Sequence, residues 1–320
     1  MFKRLVGLFT LILVGALLLV GCASTAGVNQ DSSEEFVIGI SLLTDHPALN
    51  DAKDGFIEEL ENLDINVDIQ LQNAQGEIPN SLSIAEKFTS DNVDLIFAIA
   101  TPAAQSAKQV TNDIPIIFSA VTDPVESELM ESMENPGGNV TGTSDMAQME
   151  DQLQLFKDID PSVKKIGIVF NTSEENSRIQ VERAKEIAKD LDLEIVDIGV
   201  DVISNIPQAV DSLVNRVDGI YTITDNMVAS SISVVANKAI EHNLITVGAE
   251  GSHVDGGILI SNGISYLDLG KQSAKMAEKI LVEGKDPSEV PGEFAIKTTT
   301  VVNSETLEAL ELDPELEVFK

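Results

Sequence analysis

Short apolar runs rich in Val and Ile alternate with longer amphipathic stretches along most of this chain, and that alternation limits the possible folds more than any single motif does. The first series predicts strands at 36–42, 65–71, 94–99 and 115–118, separated by helices at about 48–62, 79–91 and 102–111. Runs of this kind, apolar throughout rather than alternating, fit strands buried on both faces of a parallel sheet with helices as crossovers. A second series repeats the rhythm, with strands at 165–170, 193–198, 218–223 and 244–247 and helices at about 176–190, 205–215 and 226–241. Val93–Thr101 echoes Val217–Asp225, and Phe36–Ile40 echoes Lys165–Val169, so one α/β unit has been used twice. A strand at 257–261, a helix at about 266–283 and a strand at 298–302 follow. The expected fold class is α/β, with two doubly wound parallel-sheet lobes and a ligand cleft between them, where the strands' carboxyl ends face. The boundaries expected are 36–143 plus about 263–286 for lobe one, and 144–262 plus about 287–320 for lobe two. The returning tail would give a hinge of several strands.

The amino terminus sets the compartment. Lys3 and Arg4 precede an uncharged run from Leu5 to Val20, then Gly21 and Cys22. A basic start, a short apolar core and a small residue before Cys describe a lipoprotein signal peptide over 1–21, with Cys22 as the lipidated residue. The run is shorter than the roughly 20 residues that span a bilayer. Residues 22–35 have little to bury and are expected to tether the fold to the lipid. The protein is therefore expected outside the cytoplasm, anchored to the cell membrane through Cys22. As Cys22 is the only cysteine, no disulfide, zinc–thiolate site or catalytic thiol can serve the fold.

Charge excludes one class of partner. The chain carries 53 acidic against 20 basic residues, a net charge of −33. Nucleic acid is excluded, because every phosphate contact would oppose that field. Membrane attachment by charge is excluded for the same reason. The acidity itself reads as a solvated surface.

Enzyme signatures are missing. His46, His242 and His253 are too scattered for a recognised metal spacing, although His46 follows the first strand and is placed to line the cleft. No G-x-S-x-G elbow, Walker A loop, G-x-G-x-x-G fingerprint or H-E-x-x-H helix occurs. No catalytic residue, metal or cofactor is expected. The informative chemistry lies at strand ends, where Thr101-Pro102, Asp123-Pro124 and Asp225-Asn226 place a capping side chain ahead of a helix. Thr101, with the backbone N–H groups of Ala103 and Ala104, is a candidate for an amino acid's carboxylate, and Asp225 across the cleft for its ammonium.

Seven segments, in order from about 36 to 303, carry a resemblance: Asp45–Leu49, Asn73–Gly76, Ala100–Gln105, Phe118–Pro124, Pro136–Gly142, Glu175–Ser177 and Thr224–Asn226. Together they resemble the ABC transporter substrate-binding proteins associated with tryptophan, tyrosine or phenylalanine uptake. The resemblance implies the type I periplasmic-binding-protein fold. It also implies a ligand held by Asp45, Thr101, Ser119, Thr122 and Asp123 of lobe one and by Asn171, Glu175, Asn176, Ser177, Asp225 and Asn226 of lobe two. Where relatives read Gly-Ile-Asp-Tyr, this chain has Gly263-Ile264-Ser265-Tyr266, so a carboxylate is replaced at Ser265. Phe170 and Tyr266 are the candidates for an apolar or stacking wall. The expected protein is a monomer that binds an amino acid, preferably aromatic, by lobe closure and delivers it to ABC permease subunits. Alternatives are a sugar, nucleoside or other small polar solute in the same fold, a sensor serving a receptor kinase, or a cell-surface hydrolase. With aromatics at 4% of the chain, a two-plate sugar site is disfavoured.

Overall fold

A computed structural model describes residues 35–320 apart from Ala147. The signal peptide, Cys22 and nearly all of the tether lie outside the described residues. In chain order the strands are β1 (Phe36–Leu42), β2 (Val67–Asn73), β3 (Leu95–Ile99), β4 (Ile116–Val121), β5 (Val140–Ser144), β6 (Lys165–Asn171), β7 (Glu194–Val200), β8 (Gly219–Thr222), β9 (Ile245–Gly248), β10 (Ile260–Ile264), β11 (Glu293–Phe294) and β12 (Thr298–Val302). The α-helices are α1 (Pro47–Asn62), α2 (Ile78–Asp91), α3 (Thr101–Val110), α4 (Met149–Ile159), α5 (Glu175–Asp190), α6 (Ile206–Leu213), α7 (Asn226–Ala229), α8 (Ile232–Glu241), α9 (Gly251–Asp255), α10 (Tyr266–Leu281) and α11 (Ser304–Ala309).

The strands form two six-stranded sheets, ordered β11-β5-β4-β3-β1-β2 and β12-β10-β9-β8-β6-β7. All pairings are parallel except β10 with β12. The two orders are equivalent, so the repeat legible in the sequence is a repeat of topology. Burial follows position in the sheet. All five residues of central β3 are buried, whereas edge strand β2 is half-buried or exposed along its length.

The chain passes between the sheets three times: after Ser144, after Ile264, and between Phe294 and Thr298. The last passage corrects one expectation. Residues from 287 onward were assigned to lobe two, but Glu293 and Phe294 pair with Thr143 and Ser144 in the first sheet. The predicted helix over 226–241 is interrupted after Ala229 and resumes at Ile232, and the strand expected at 257–261 runs from 260 to 264. Strands β5 and β11 and helices α4, α9 and α11 were not anticipated.

Helix α10 returns from the second passage to lie against α1, and glycines set how closely the two approach. A Cβ on Gly55 would sit 2.0 Å from the Leu267 carbonyl oxygen, and one on Gly270 would sit 2.0 Å from that of Ala52. Backbone cannot yield as a side-chain tip can. Gly270→Ala is therefore expected to destabilise the protein by about 1–3 kcal/mol, measured by chemical denaturation. An unchanged midpoint would show that the helices separate without penalty.

Candidate functional site

In sheets of this order ligands lie beyond the carboxyl ends of the strands, where the direction of winding reverses. For the first sheet that reversal falls between β1 and β3, and for the second between β6 and β8. The loops there carry Asp45, His46 and Thr101 on one side and Asn171, Glu174, Asp225 and Asn226 on the other.

Local backbone aims the first-lobe residues. Ala100 ends β3 with φ 83° and ψ 154°, and Ala120 interrupts the β4–β5 register with φ 57°. Both conformations are costly for a residue with a Cβ. Ala100 is held there by donating to Ser119 O at 3.0 Å and by accepting from the Ala103 and Ala104 N–H groups, both at 3.1 Å. These bonds correct the predicted carboxylate site. Ala100 occupies the cap position and Thr101 is the first helical residue. Pro102 has no N–H, and the Ala103 and Ala104 N–H groups are already used. Thr101 contributes its hydroxyl instead: it is 1% exposed and Oγ1 has no hydrogen-bond partner among the described residues.

The second-lobe residues form one connected polar cluster. Asp225 is fully buried; Oδ2 accepts from Asn171 N at 2.5 Å and Ser177 Oγ at 2.8 Å, and Oδ1 caps α7 by accepting from Val228 N at 2.9 Å. Glu174, three residues beyond the end of β6, accepts from Asn171 Nδ2 at 3.0 Å and Asn226 Nδ2 at 2.5 Å. Asn176 Nδ2 donates to Thr224 O at 3.0 Å, while its Oδ1 is buried without a partner.

Direct bonds join the two sides. His46 Nε2 donates to Asn226 Oδ1 at 3.2 Å, Thr122 and Thr224 share a hydroxyl–hydroxyl bond at 3.0 Å, and Gln105 Nε2 donates to Glu175 Oε2 at 2.5 Å. At the passages between sheets, Tyr266 OH donates to Asp145 Oδ2 at 2.8 Å. A cleft of about 470 Å³ opens beside Asn226. Leu43, Ile78, Pro102, Val202, Ile203 and Met227 give it an apolar wall, beside Asp45, Glu174 and Asn226. A larger groove of about 1050 Å³, near Met146, Arg183 and Phe294, contains none of the buried carboxylates.

Of the predicted site residues, Asn171 and Asn226 line this cleft; Asn176, Ser177 and Asp225 belong to the second-lobe polar cluster behind them, Thr122 and Glu175 take part in the bonds between the two sides, and Thr101 and Tyr266 are buried outside the lining. Asp45 reaches the cleft from an exposed position and accepts from Asn50 Nδ2 at 2.5 Å. Four others do not join the cluster. Ser119 belongs to a buried hydroxyl chain in lobe one, bonded to Thr143 at 3.0 Å, which is bonded in turn to Ser273 at 2.8 Å. Asp123 accepts from Glu126 N at 3.0 Å in a turn, so it caps no helix. Phe170 packs against the second lobe's core. Ser265 is exposed and caps α10 by accepting from Asp268 N at 3.2 Å.

Sequence reasoning missed Gln105, Asp145, Glu174, Glu250 and His253. Glu250 follows the end of β9, as Asp225 follows β8, and the same strand-end logic would have found it. Asp145, Glu174, Asp225 and Glu250 are the four buried carboxylates among the described residues, and no Lys or Arg side chain there is buried. Burial raises all four above the usual carboxylate range. For Glu250, burial and the neighbouring Asp145 push it up to about 8. Burial alone holds His46 low, and burial with the nearby His46 pushes His253 down to about 3, so neither imidazole supplies a compensating charge near neutral pH.

Two equivalent α/β sheets whose strand ends enclose a polar cleft, bridged by side chains from both, define a bilobed small-molecule binding protein of the periplasmic-binding-protein type I fold. The chain belongs to the ABC transporter substrate binding protein family, whose family model matches residues 37–319. It is 41% identical over 321 residues to a tyrosine-binding protein of Clostridioides difficile (strain R20291), covering 97% of this chain and 93% of that one. Among solved structures, an ABC domain in complex with L-Trp from Streptococcus pneumoniae is 30% identical, with a TM-score of 0.85 over 89% of this chain and 97% of that one. A ligand-free, open substrate-binding protein with adhesive properties from Clostridium difficile is 41% identical, yet its TM-score is 0.69 over 89% of this chain and 98% of that one. The chain therefore superposes more closely on the L-Trp complex than on the open structure, although the open structure is more similar in sequence.

The raised carboxyls set a pH dependence for stability. Their folded values exceed their unfolded ones, so the folded chain holds more protons; for Glu250 that window runs from 4.5 to about 8. Their contribution is complete below the window and is lost as pH rises through it. Thermal melts without ligand are expected to show Tm falling from pH 5 to pH 8, less steeply in Glu250→Gln. A Tm that rises across that range would contradict the burial of uncompensated acids.

Proposed function

We infer that this protein captures an aromatic amino acid outside the cytoplasm and presents it to the permease of an ABC importer. The observation that carries the ligand class is a cluster of buried acids: among the described residues four carboxyl groups are buried and no Lys or Arg is, and one of the four, Glu174, lines the cleft. Ionising a buried acid without a partner is costly, and an ammonium group offsets that cost where a neutral sugar cannot. An amino acid also needs a donor for its carboxylate, and the unpaired Thr101 hydroxyl is such a donor. Its ring would rest toward the mouth, against Leu43, Pro102, Val202 and Met227. Those residues take the place of the wall expected from Phe170, and Tyr266 serves through its hydroxyl. The Clostridioides difficile and Streptococcus pneumoniae relatives support an aromatic side chain.

On this reading the protein is a monomer that binds without turnover. Closure of the lobes hides the ligand and forms a surface that exists only in the closed form, which is what a permease would recognise. Cys22 anchors the chain through lipid, and 22–35 tethers it. No helix among the described residues is long and apolar enough to cross a membrane.

The chain has no tryptophan, so indole emission in a titration with L-tryptophan comes from ligand alone. Saturable 1:1 binding of at least one of L-tyrosine, L-tryptophan and L-phenylalanine is expected, read by emission or calorimetry, with the ligand recovered unchanged. Failure of all three, together with binding of a neutral sugar, would overturn the assignment.

A further inference from the structure

Glu250 and Asp145 are the buried acids that the protein engages least, each accepting from one side chain, and Asp145 Oδ1 is buried without a partner among the described residues. Asp225 accepts three hydrogen bonds, from Asn171 N, Ser177 Oγ and Val228 N. Glu174 is held by Asn171 and Asn226, and Asp145 by Tyr266. Among the described residues the single donor to Glu250 is Ser252 Oγ, at 3.1 Å. His253 Nε2 lies 3.6 Å from Glu250 Oε2, beyond hydrogen-bond distance, and is buried with no partner. The imidazole is fixed from its other side, where Nδ1 shares a 2.9 Å bond with Thr222 Oγ1. Gly248 makes room for it, since a Cβ there would meet His253 Cβ at 2.9 Å. The second lobe thus holds a buried acid with unused hydrogen-bonding capacity, near a buried nitrogen without a partner among the described residues.

Every ionisable group facing Glu250 works against its charge or is neutral. Asp145 approaches from the first passage between sheets, Tyr266 from the start of α10, Glu174 from the loop before α5 and Asp225 from the loop after β8. His253, from α9, is kept neutral by burial, as is His46 beyond it. An isolated carboxylate in such surroundings keeps its proton.

We propose that Glu250 is the residue that selects for the ligand's ammonium group, and that it gives up its proton as the ligand binds, so that amino-acid capture releases a proton. The proposal rests on the amino-acid reading of the cleft. In the step, the Glu250 carboxyl O–H proton passes to solvent buffer. The carboxylate left behind accepts N–H bonds from the ammonium, which keeps all three of its hydrogens. One positive charge enters the cleft and one leaves, so the balance of the four acids is preserved.

Calorimetry of the wild-type chain with L-tryptophan at pH 6.5, in buffers of differing ionisation enthalpy, tests this. About one proton should be released per ligand, and affinity should rise by nearly tenfold per pH unit between pH 5.5 and 7.5. Indole-3-propionate, which lacks the ammonium, should bind without proton release. Glu250→Gln should bind L-tryptophan more weakly, with an affinity flat across that range. A wild-type heat independent of buffer would overturn the proposal while leaving the amino-acid reading intact. So would release that persists in Glu250→Gln and vanishes in Glu174→Gln or Asp145→Asn. Absence of binding by tryptophan, tyrosine and phenylalanine alike would remove the reading beneath it. Should Glu250→Gln fail to fold, the wild-type pH slope and the indole-3-propionate comparison decide the matter.

Discussion

Acids buried with no buried Lys or Arg among the described residues are the constraint around which this molecule is arranged. A protein with so many acidic residues can leave nearly all of them in water, and this one does. Asp145, Glu174, Asp225 and Glu250 are the exceptions, and they come from separate segments that meet only because two sheets of the same winding face each other. Hydrogen bonding engages them unequally. Asp225 is tied to the backbone at Asn171 and Val228, Glu174 to two asparagine amides, and Asp145 to the Tyr266 hydroxyl. Those bonds organise the cleft without neutralising it.

Strain and closure act on the same site. Ala100 and Ala120 adopt backbone conformations that side chains disfavour, at the ends of the two strands that deliver Thr101 and Thr122. Thr122 is bonded across the cleft to Thr224, which places a first-lobe hydroxyl on the second lobe. The His46–Asn226 bridge adjoins the cleft through Asn226, and the cleft wall sets Leu43, Pro102 and Met227 beside Asp45, Glu174 and Asn226. The arrangement suits an amphipathic ligand whose charged end goes in first. A donor, Thr101, and a group of acceptors then meet opposite ends of one zwitterion, and each pairing is strengthened by the exclusion of water.

The sequence disclosed the architecture because central strands such as β3 and β6 are apolar runs bounded by capped helices, and because the run was written twice. It concealed β5 for a physical reason. Val-Thr-Gly-Thr-Ser is fully buried, yet its polar side chains are satisfied by Val290 O, Ser119, Ser273 and Thr122 O, so no apolar run marks it. Helix α4 is obscured similarly by buried Gln152, which donates to Asn262 O and accepts from Tyr221. At the site, residues following strands on the winding reversal could be found by strand-end reasoning, as Thr101 and Asp225 were. Asp123 satisfied the same pattern, and Ser119 and Ser265 came from the family resemblance, but their carboxylate or hydroxyl groups are used inside one lobe. Asp145 lay beyond that reasoning, since it sits on a passage between sheets whose position depends on how both lobes close.

A crystal structure of the complex with L-tyrosine tests most directly whether the buried acids exist to receive a cation. The amino nitrogen should lie within hydrogen-bonding distance of the Asp145 or Glu250 carboxylate, with the ligand carboxylate near the Thr101 hydroxyl and the ring toward Pro102 and Met227. A ligand bound the other way round, with its amino group in solvent at the mouth and its ring against the four acids, would contradict the account.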